Sequence, residues 1–325
     1  MLSVIIPHFN DIKNLKECLK YLNKQKKVNF EVIISEGKKN FSIIDKNYKF
    51  KFIQVYNGYR NDQEARKFLA IKKSKEKIIC FLDTDNFIRN ENFLRYHLDA
   101  FKFKGVGFAY SKFYEYRNSD NYLNKYFSLL GGNDPIAWYF DKNDRYEFGD
   151  KFSQKDEIIL KRKNFLIFKF ESIKKTIGAN GFFIRKKIIE NLKIKKPENF
   201  LHIDSNIKAI QKSKYRKYAL INCSLWHYTA DKIFTNLKKR SIYYKNFYLK
   251  KKRYRTYKII DMSNRYDLYI LVKLILLNLL IIPPLVISIL KFINTKKKEW
   301  LYHTFFINLF IINYAYVYIK NIFRK

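Results

Sequence analysis

Lys77-Ile78-Ile79-Cys80-Phe81-Leu82-Asp83-Thr84-Asp85-Asn86 runs an apolar segment straight into two carboxylates separated by one residue. A short, nearly continuous Ile/Phe/Leu run suits a strand covered on both faces, as in a parallel sheet. In open α/β sheets, ligands bind beyond the carboxyl ends of such strands, which is where Asp83 and Asp85 stand. Two carboxylates this close resist joint ionisation unless a cation lies beside them. Hard oxygen ligands suit Mg²⁺ or Mn²⁺. The alternative is a polar turn closing a strand.

Working outward from that stretch, the segments before it alternate strand and helix. Leu2-Ser3-Val4-Ile5-Ile6-Pro7 reads as a buried strand stopped at Pro7, which has no N–H for a ladder. Ile12, Leu15, Leu19 and Leu22 follow at helical spacing, with Asp11 as N-cap. Phe30 to Ser35 is a second strand ending at Glu36-Gly37, Phe52 to Val55 a third, and Glu64 to Lys73 a helix. This order predicts a doubly wound, mostly parallel α/β sheet flanked by helices. After Asn86, Asn90 is expected to cap a helix through Phe101, and Val106 to Tyr110 to form a strand. Gly131-Gly132-Asn133-Asp134-Pro135 is a cluster of breakers, and Gly178 to Arg185 a glycine-flanked loop before a short strand. Tyr218 to Trp226 reads as a late strand with His227 just past it.

The 325 residues carry 66 Lys+Arg against 29 Asp+Glu, a formal net charge of +37. That excess favours an anionic partner: nucleic acid, an acidic membrane surface or a phosphorylated substrate. Hydrophobic content of 47% and aromatic content of 18% exclude a disordered chain. Cys18, Cys80 and Cys223 have no zinc-type spacing, and a reducing compartment is the inference. Met1 leads directly into a strand with no basic n-region, so no signal peptide is expected. Near the C-terminus, the basic Lys250 to Arg255 run precedes two apolar stretches, Leu268 to Leu290, broken by Pro283-Pro284, and Trp300 to Ile319. Both meet the ~20 residues a spanning helix needs. Segment length favours a two-span hairpin over a shallow re-entrant arrangement, in either case approached from the cytoplasmic side.

Taken in order, these motifs resemble family 2 glycosyltransferases with a GT-A fold, over roughly Ser3 to Arg240. Ser3 to Pro7 is similar to the family's opening strand, which borders the nucleotide pocket. Glu31 to Gly37 is similar to its second strand, with Glu36 where an Asp usually meets the nucleoside. Ala65-Arg66 resembles the Ala-Arg-Asn helix start, with Lys67 in place of Asn. Asp83-Thr84-Asp85 matches the metal and diphosphate motif, and Gly178 to Phe182 the acceptor-side glycine loop. Asp204, in His202-Ile203-Asp204, falls where the family places its catalytic base.

The resemblance implies a metal-dependent, inverting transferase using a nucleotide-sugar donor, a lipid-linked or polysaccharide acceptor, and Mg²⁺ or Mn²⁺. The implied donor residues are Pro7, Glu36, Arg66, Asp83 and Asp85, and the base is Asp204, for which the plain alternative is a helix N-cap. His227 joins Asp83 and Asp85 as a metal ligand, or is structural. Asn180 and Gly181 are expected to face the acceptor. Asp134 and Trp138 are a second acceptor candidate or a structural turn, since flat rings suit sugar faces. The expected organisation is a catalytic domain over 1–240, with a nucleotide-sugar half (1–110) and an acceptor half (111–240). A basic linker (241–267) and an apolar membrane-associated segment (268–325) complete it. Two rivals remain at this level. A nucleotidyltransferase would need a glycine-rich basic loop after the first strand, which Pro7 to Asp11 lacks. A nucleic-acid binder draws on the charge and the Lys250 to Tyr257 run but shows no groove-reading motif, so no nucleic acid is expected.

Overall fold

The computed structural model describes residues 1–38, 47–148, 157–170, 176, 180–251 and 255–323. The chain divides into two compact units, one of Met1–Phe113, Phe152–Ile173 and Ile177–Tyr228, the other of Tyr114–Lys151, Lys174–Thr176 and Thr229–Lys325.

In the first unit, β1 (Leu2–His8) lies between β2 (Phe30–Glu36) and β4 (Ile78–Phe81), parallel to both, and β3 (Lys51–Tyr56) extends the parallel half beyond β2. Leu2, Val4, Ile5 and Ile6 are fully buried, as a strand covered on both faces requires. Each large apolar side chain so buried contributes about 1.5–3 kcal/mol. Beyond β4 the pairing turns antiparallel, through β9 (Phe182–Arg185) to β6 (Val106–Glu115). The order continues with β10 (Lys217–His227), β8 (Phe165–Lys169) and β7 (Ile158–Lys161), while the two-residue β5 (Asn86–Phe87) pairs with the end of β10. The result is a mixed α/β sheet whose parallel part is its N-terminal half.

Helices α1 (Ile12–Asn23), α2 (Gln63–Lys73), α3 (Phe93–Ala100), α6 (Lys186–Glu190) and α7 (His202–Lys212) belong to the same unit. Asp11 caps α1 as expected, accepting from Asn14 N. Asp62 caps α2, accepting from Glu64 N and Ala65 N. The α3 cap differs from expectation. Asn92 is the N-cap, and Asn90 closes a preceding turn by accepting from Asn92 N and Phe93 N.

The second unit is helical. In α4 (Tyr122–Leu130) the last turn ends at Gly131, whose φ of 75° is left-handed. A Cβ there would meet Tyr146 O at 2.5 Å, so only glycine fits. Helix α5 (Pro135–Tyr139) starts at once, capped by Asp134. Leu123, Tyr126 and Phe127 of α4 share a core with Ile233 and Leu237 of α8 (Ile233–Tyr243), and with Trp300, Phe306 and Phe310. The C-terminal stretch therefore buries one face within this unit rather than standing apart from it.

The first apolar stretch is not one straight helix. α9 (Arg265–Leu279) and α10 (Ile282–Thr295) bend by 92°. Pro283 and Pro284 fall in the first turn of α10, where missing N–H groups are tolerated. Ile281 carries the turn at φ 62°, an uncommon conformation for a β-branched residue. At 15 and 14 residues, each arm is about 21–23 Å long, short of the ~30 Å hydrocarbon core. Leu279, Leu280, Ile281 and Ile282 at the bend are 58–74% exposed, an apolar apex open to its surroundings. Among the described residues one segment is long and apolar enough to cross a membrane, Lys298–Ile322, which includes α11 (His303–Ile322). Phe306, Ile307 and Phe310 on one face of α11 are buried, whereas Ile312, Tyr316 and Ile319 are exposed.

Candidate active site

The parallel strands end together, and Pro7 determines where. Ile5 pairs with Phe81, and Leu82 N donates to Ile5 O. The next rung of that ladder would need an N–H on residue 7, which proline lacks. The β1–β4 ladder stops there, and the chain leaves β4 as Leu82-Asp83-Thr84-Asp85 while β1 and β2 stay paired to His8 and Glu36. That divergence opens the carboxyl edge of the sheet beside the two acids.

Asp85 is placed by long-range pairing. Asn86 and His227 are partners across the antiparallel β5–β10 ladder, and Tyr228 N donates to Asp85 O at 2.8 Å. His227 Nε2 consequently lies 3.7 Å from Asp85 Oδ2, while Asn86 Nδ2 donates to Asp85 Oδ1 at 2.7 Å. A separation of 3.7 Å exceeds a hydrogen bond and leaves room for a shared ion. Asp83 has a different partner. Lys67 Nζ lies 3.0 Å from its Oδ1, with the lysine fully buried and Asp83 24% exposed.

Around this corner the buried polar side chains are braced. His8 Nδ1 donates to Glu36 Oε2 at 2.6 Å, since a carboxylate can only accept, and His8 Nε2 accepts from Asp11 N. Arg66 is 6% exposed, donates to Tyr59 O and Arg60 O, and lies over the Phe9 ring. Gly37 permits this close approach, for a Cβ there would sit 3.1 Å from both Arg66 Nη1 and Tyr59 O.

A second buried group ties α2 to α7. Glu64 accepts from His202 N at 2.7 Å and from His202 Nδ1 at 2.6 Å, so a carboxylate from another helix satisfies a first-turn N–H of α7. Burial alone would raise the Glu64 carboxyl, but His202 and Lys67 outweigh it and hold the pKa at about 2. Asp204 follows two residues later in the first turn, 4% exposed. The α7 N-cap is Leu201, so Asp204 is not the cap residue.

The glycosyl transferase family 2 model matches residues 3–192. The chain belongs to that family. It is a glycosyltransferase. Its fold is of the α/β class the sequence leads one to expect, but the sheet turns antiparallel beyond β4 instead of being mostly parallel. Solved structures with a similar course include S. aureus TarS 1–349, at 13% identity, covering 75% of this chain and 65% of that one with a TM-score of 0.43. The mannosyltransferase PcManGT from Pyrobaculum calidifontis, solved with GDP-Man and Mn²⁺, is 11% identical, with 78% and 64% coverage and a TM-score of 0.48. The chain thus spans just under two thirds of the length of these relatives. No curated protein matches the sequence.

In this family 2 chain, Pro7, Glu36, Arg66, Asp83, Asp85, Asn180, Gly181, Asp204 and His227 all belong to the first unit, and Asp134 and Trp138 to the second. Of the predicted metal ligands, Asp85 and His227 are brought together, and Asp83 is paired with Lys67. Among the described residues no three His, Cys, Asp or Glu side chains form a ready-made metal cage. One carboxylate and one imidazole nevertheless fit a Mg²⁺- or Mn²⁺-type ion whose other ligands are substrate phosphates and water.

Asn180 and Gly181 form the left-handed turn into β9, at φ 52° and 73°, and Gly181 N donates to Phe81 O. Gly178 and Ala179 lie outside the described residues. Asp134 accepts from Ile136 N, Arg240 Nη2 and Tyr314 Oη, and the Trp138 indole donates to Glu147 Oε2 and packs on Trp300 and His303. Both side chains thus hold the second unit together. Glu64, His202 and His8 escape a reading by sequence. The one available signal is the Glu64-x-x-Lys67 spacing, which puts two charges on one helix face.

Proposed function

We propose that this glycosyltransferase moves a sugar from a nucleoside-diphosphate donor to a hydroxyl of a lipid-linked or polysaccharide acceptor, with a divalent ion and inversion at the sugar carbon. The observation that carries the reading is the Asn86–His227 pairing, which sets His227 Nε2 3.7 Å from Asp85 at the open edge of the sheet. Asp85 and His227 would hold the ion, which as a Lewis acid stabilises the departing diphosphate. Glu36 and Arg66, fixed by His8 and by the Tyr59 and Arg60 carbonyls, would hold the nucleoside against the end of β1. Asp204 would accept the proton of the attacking hydroxyl, and one such base with one displacement gives inversion. Asn180 and Gly181 would border the acceptor. Asp134 and Trp138 are already engaged by Arg240, Tyr314 and Glu147.

The membrane is the proposed setting. The apolar apex at Leu279 to Ile282 and the exposed face of α11 support contact with lipid from the cytoplasmic side. The 92° bend favours a shallow re-entrant α9–α10 pair over a single crossing by that stretch in a two-span hairpin. Basic residues such as Lys245, Lys250 and Lys251 would lie against anionic headgroups, at about 1 kcal/mol per charge.

The test is a screen of UDP-, GDP- and CDP-sugars for release of nucleoside diphosphate by the full chain in detergent, with Mn²⁺ or Mg²⁺ and with chelator. Release from at least one donor that stops in chelator and returns with metal is expected. Release unaffected by chelator would remove the metal from the mechanism, and no release from any donor would refute the donor class.

A further inference from the structure

Lys67 is fully buried on α2, with Nζ 3.0 Å from Asp83 Oδ1 and 3.4 Å from Asp83 Oδ2. An ammonium taken out of water persists only where counter-charges replace the lost hydration. Two carboxylates do so here: Asp83, and Glu64 one turn earlier on the same helix. Glu64 is in turn fixed by His202 N and Nδ1. Lys67 is therefore an immobile charge clamped to one acid of the Asp-x-Asp motif, unlike a surface lysine that meets an acid by chance. The other acid, Asp85, faces an imidazole that can ligate metal. Two residues apart, the motif's carboxylates have been given different partners.

We propose that Lys67 occupies Asp83, so that Asp85 and His227 alone hold the divalent ion, which binds together with the donor's diphosphate rather than before it. The inference rests on reading this corner as the donor site. A fixed ammonium beside the motif cancels half of its negative charge and repels a second cation. A diphosphate brings that charge back and supplies the oxygen ligands which Mg²⁺ and Mn²⁺ commonly share with only one or two side chains. Lys67 is thus a positioning residue that sets the order and strength of metal binding.

The experiment is Mn²⁺ binding to the full chain in detergent, followed by the EPR signal of free Mn²⁺, alone and with UDP, GDP or CDP. The wild type should bind Mn²⁺ weakly alone and about tenfold or more tightly with the accepted nucleoside diphosphate. Lys67→Asn and Lys67→Gln should bind Mn²⁺ about tenfold tighter than the wild type without nucleotide, while Lys67→Arg keeps the wild-type pattern. A merely structural lysine would lower the melting temperature of these variants without tightening Mn²⁺ binding. Unchanged or weaker Mn²⁺ affinity in Lys67→Asn and Lys67→Gln, in protein that still binds nucleotide, would overturn the proposal and leave the donor-site reading standing. Wild-type protein that binds Mn²⁺ equally well with and without nucleotide would overturn it with no variant needed. Wild-type protein that binds no Mn²⁺ with any nucleoside diphosphate would overturn both.

Discussion

Glu64→Gln removes one charge from the buried His202–Glu64–Lys67 group while keeping the side chain's shape. The carboxyl sits at about 2 against an ordinary 4.5, and each unit of that difference is worth about 1.4 kcal/mol. The depression therefore corresponds to roughly 3 kcal/mol at neutral pH. Breaking a buried pair by removing one partner is known to cost about 3–5 kcal/mol, which agrees. For a unit of this size, 3 kcal/mol lowers the melting temperature by about 6–12 °C. The amide can still accept from His202 N, but its NH₂ cannot accept from Nδ1, so the first turn of α7 loosens with Asp204 in it. The sign with pH follows from a depressed acid. The stabilisation is complete above pH 4.5 and is lost as pH falls toward 2, so the wild type loses this increment over that window and the variant has none to lose. The assay is thermal melting of both proteins at pH 7 and through pH 4.5–2.5. A loss below 1 kcal/mol at pH 7, or an equal acid slope in both proteins, would refute the reasoning.

Asp85→Ala should abolish transfer with the fold intact, since partly exposed strand-end acids contribute little to the core, and chelation should mimic it reversibly; activity in the variant would exclude Asp85 from the site. Asp204→Asn should reduce transfer by roughly 10²–10⁴-fold with donor binding unchanged, measured by nucleotide-sugar titration alongside turnover. Loss of donor affinity instead would make Asp204 a binding residue. Replacing Leu279 and Ile282 together by Glu should release the protein from vesicles at salt concentrations the wild type withstands. A single cysteine at Thr295, in a background lacking Cys18, Cys80 and Cys223, should react with an impermeant thiol reagent only after cell lysis; labelling from outside would establish two crossings instead.

The N-terminal half of the sheet was legible because β1, β2 and β4 are buried on both faces, and apolar runs such as Val4 to Ile6 leave few alternatives. The N-cap at Asp11 was legible for a local reason as well, a short acid immediately before a periodic run. The antiparallel half was harder. β9, β6 and β10 are neighbours through pairings far apart in sequence, and local pattern does not specify strand direction. The same limit applies to His227. Its place at the end of a strand could be read, but its distance to Asp85 depends on a two-residue strand, Asn86-Phe87, too short to leave a periodic signal.

Lys67 shows a different limit. Its departure from the family's Asn was visible, whereas its complete burial and its partner follow from how α2 packs on β1 and β2, which sets Lys67 beside Asp83 beyond the end of β4. Pro283-Pro284 announced the break in the first apolar stretch, and the bend's size came only with the structure. Trp138 and Asp134 illustrate the ambiguity of aromatic and acidic residues near glycines. The same composition serves a sugar platform or a helix corner, and in this chain their polar atoms are taken by Glu147, Arg240 and Tyr314.

The most direct measurement on the central claim is an anomalous difference map from crystals of the full chain grown with Mn²⁺ and the accepted nucleoside diphosphate. The account predicts one Mn²⁺ peak shared by the Asp85 carboxylate, His227 Nε2 and diphosphate oxygens, with Lys67 still paired to Asp83. A peak on Asp83 with Lys67 displaced, or nucleotide bound away from the carboxyl edge of β1 and β4, would contradict it.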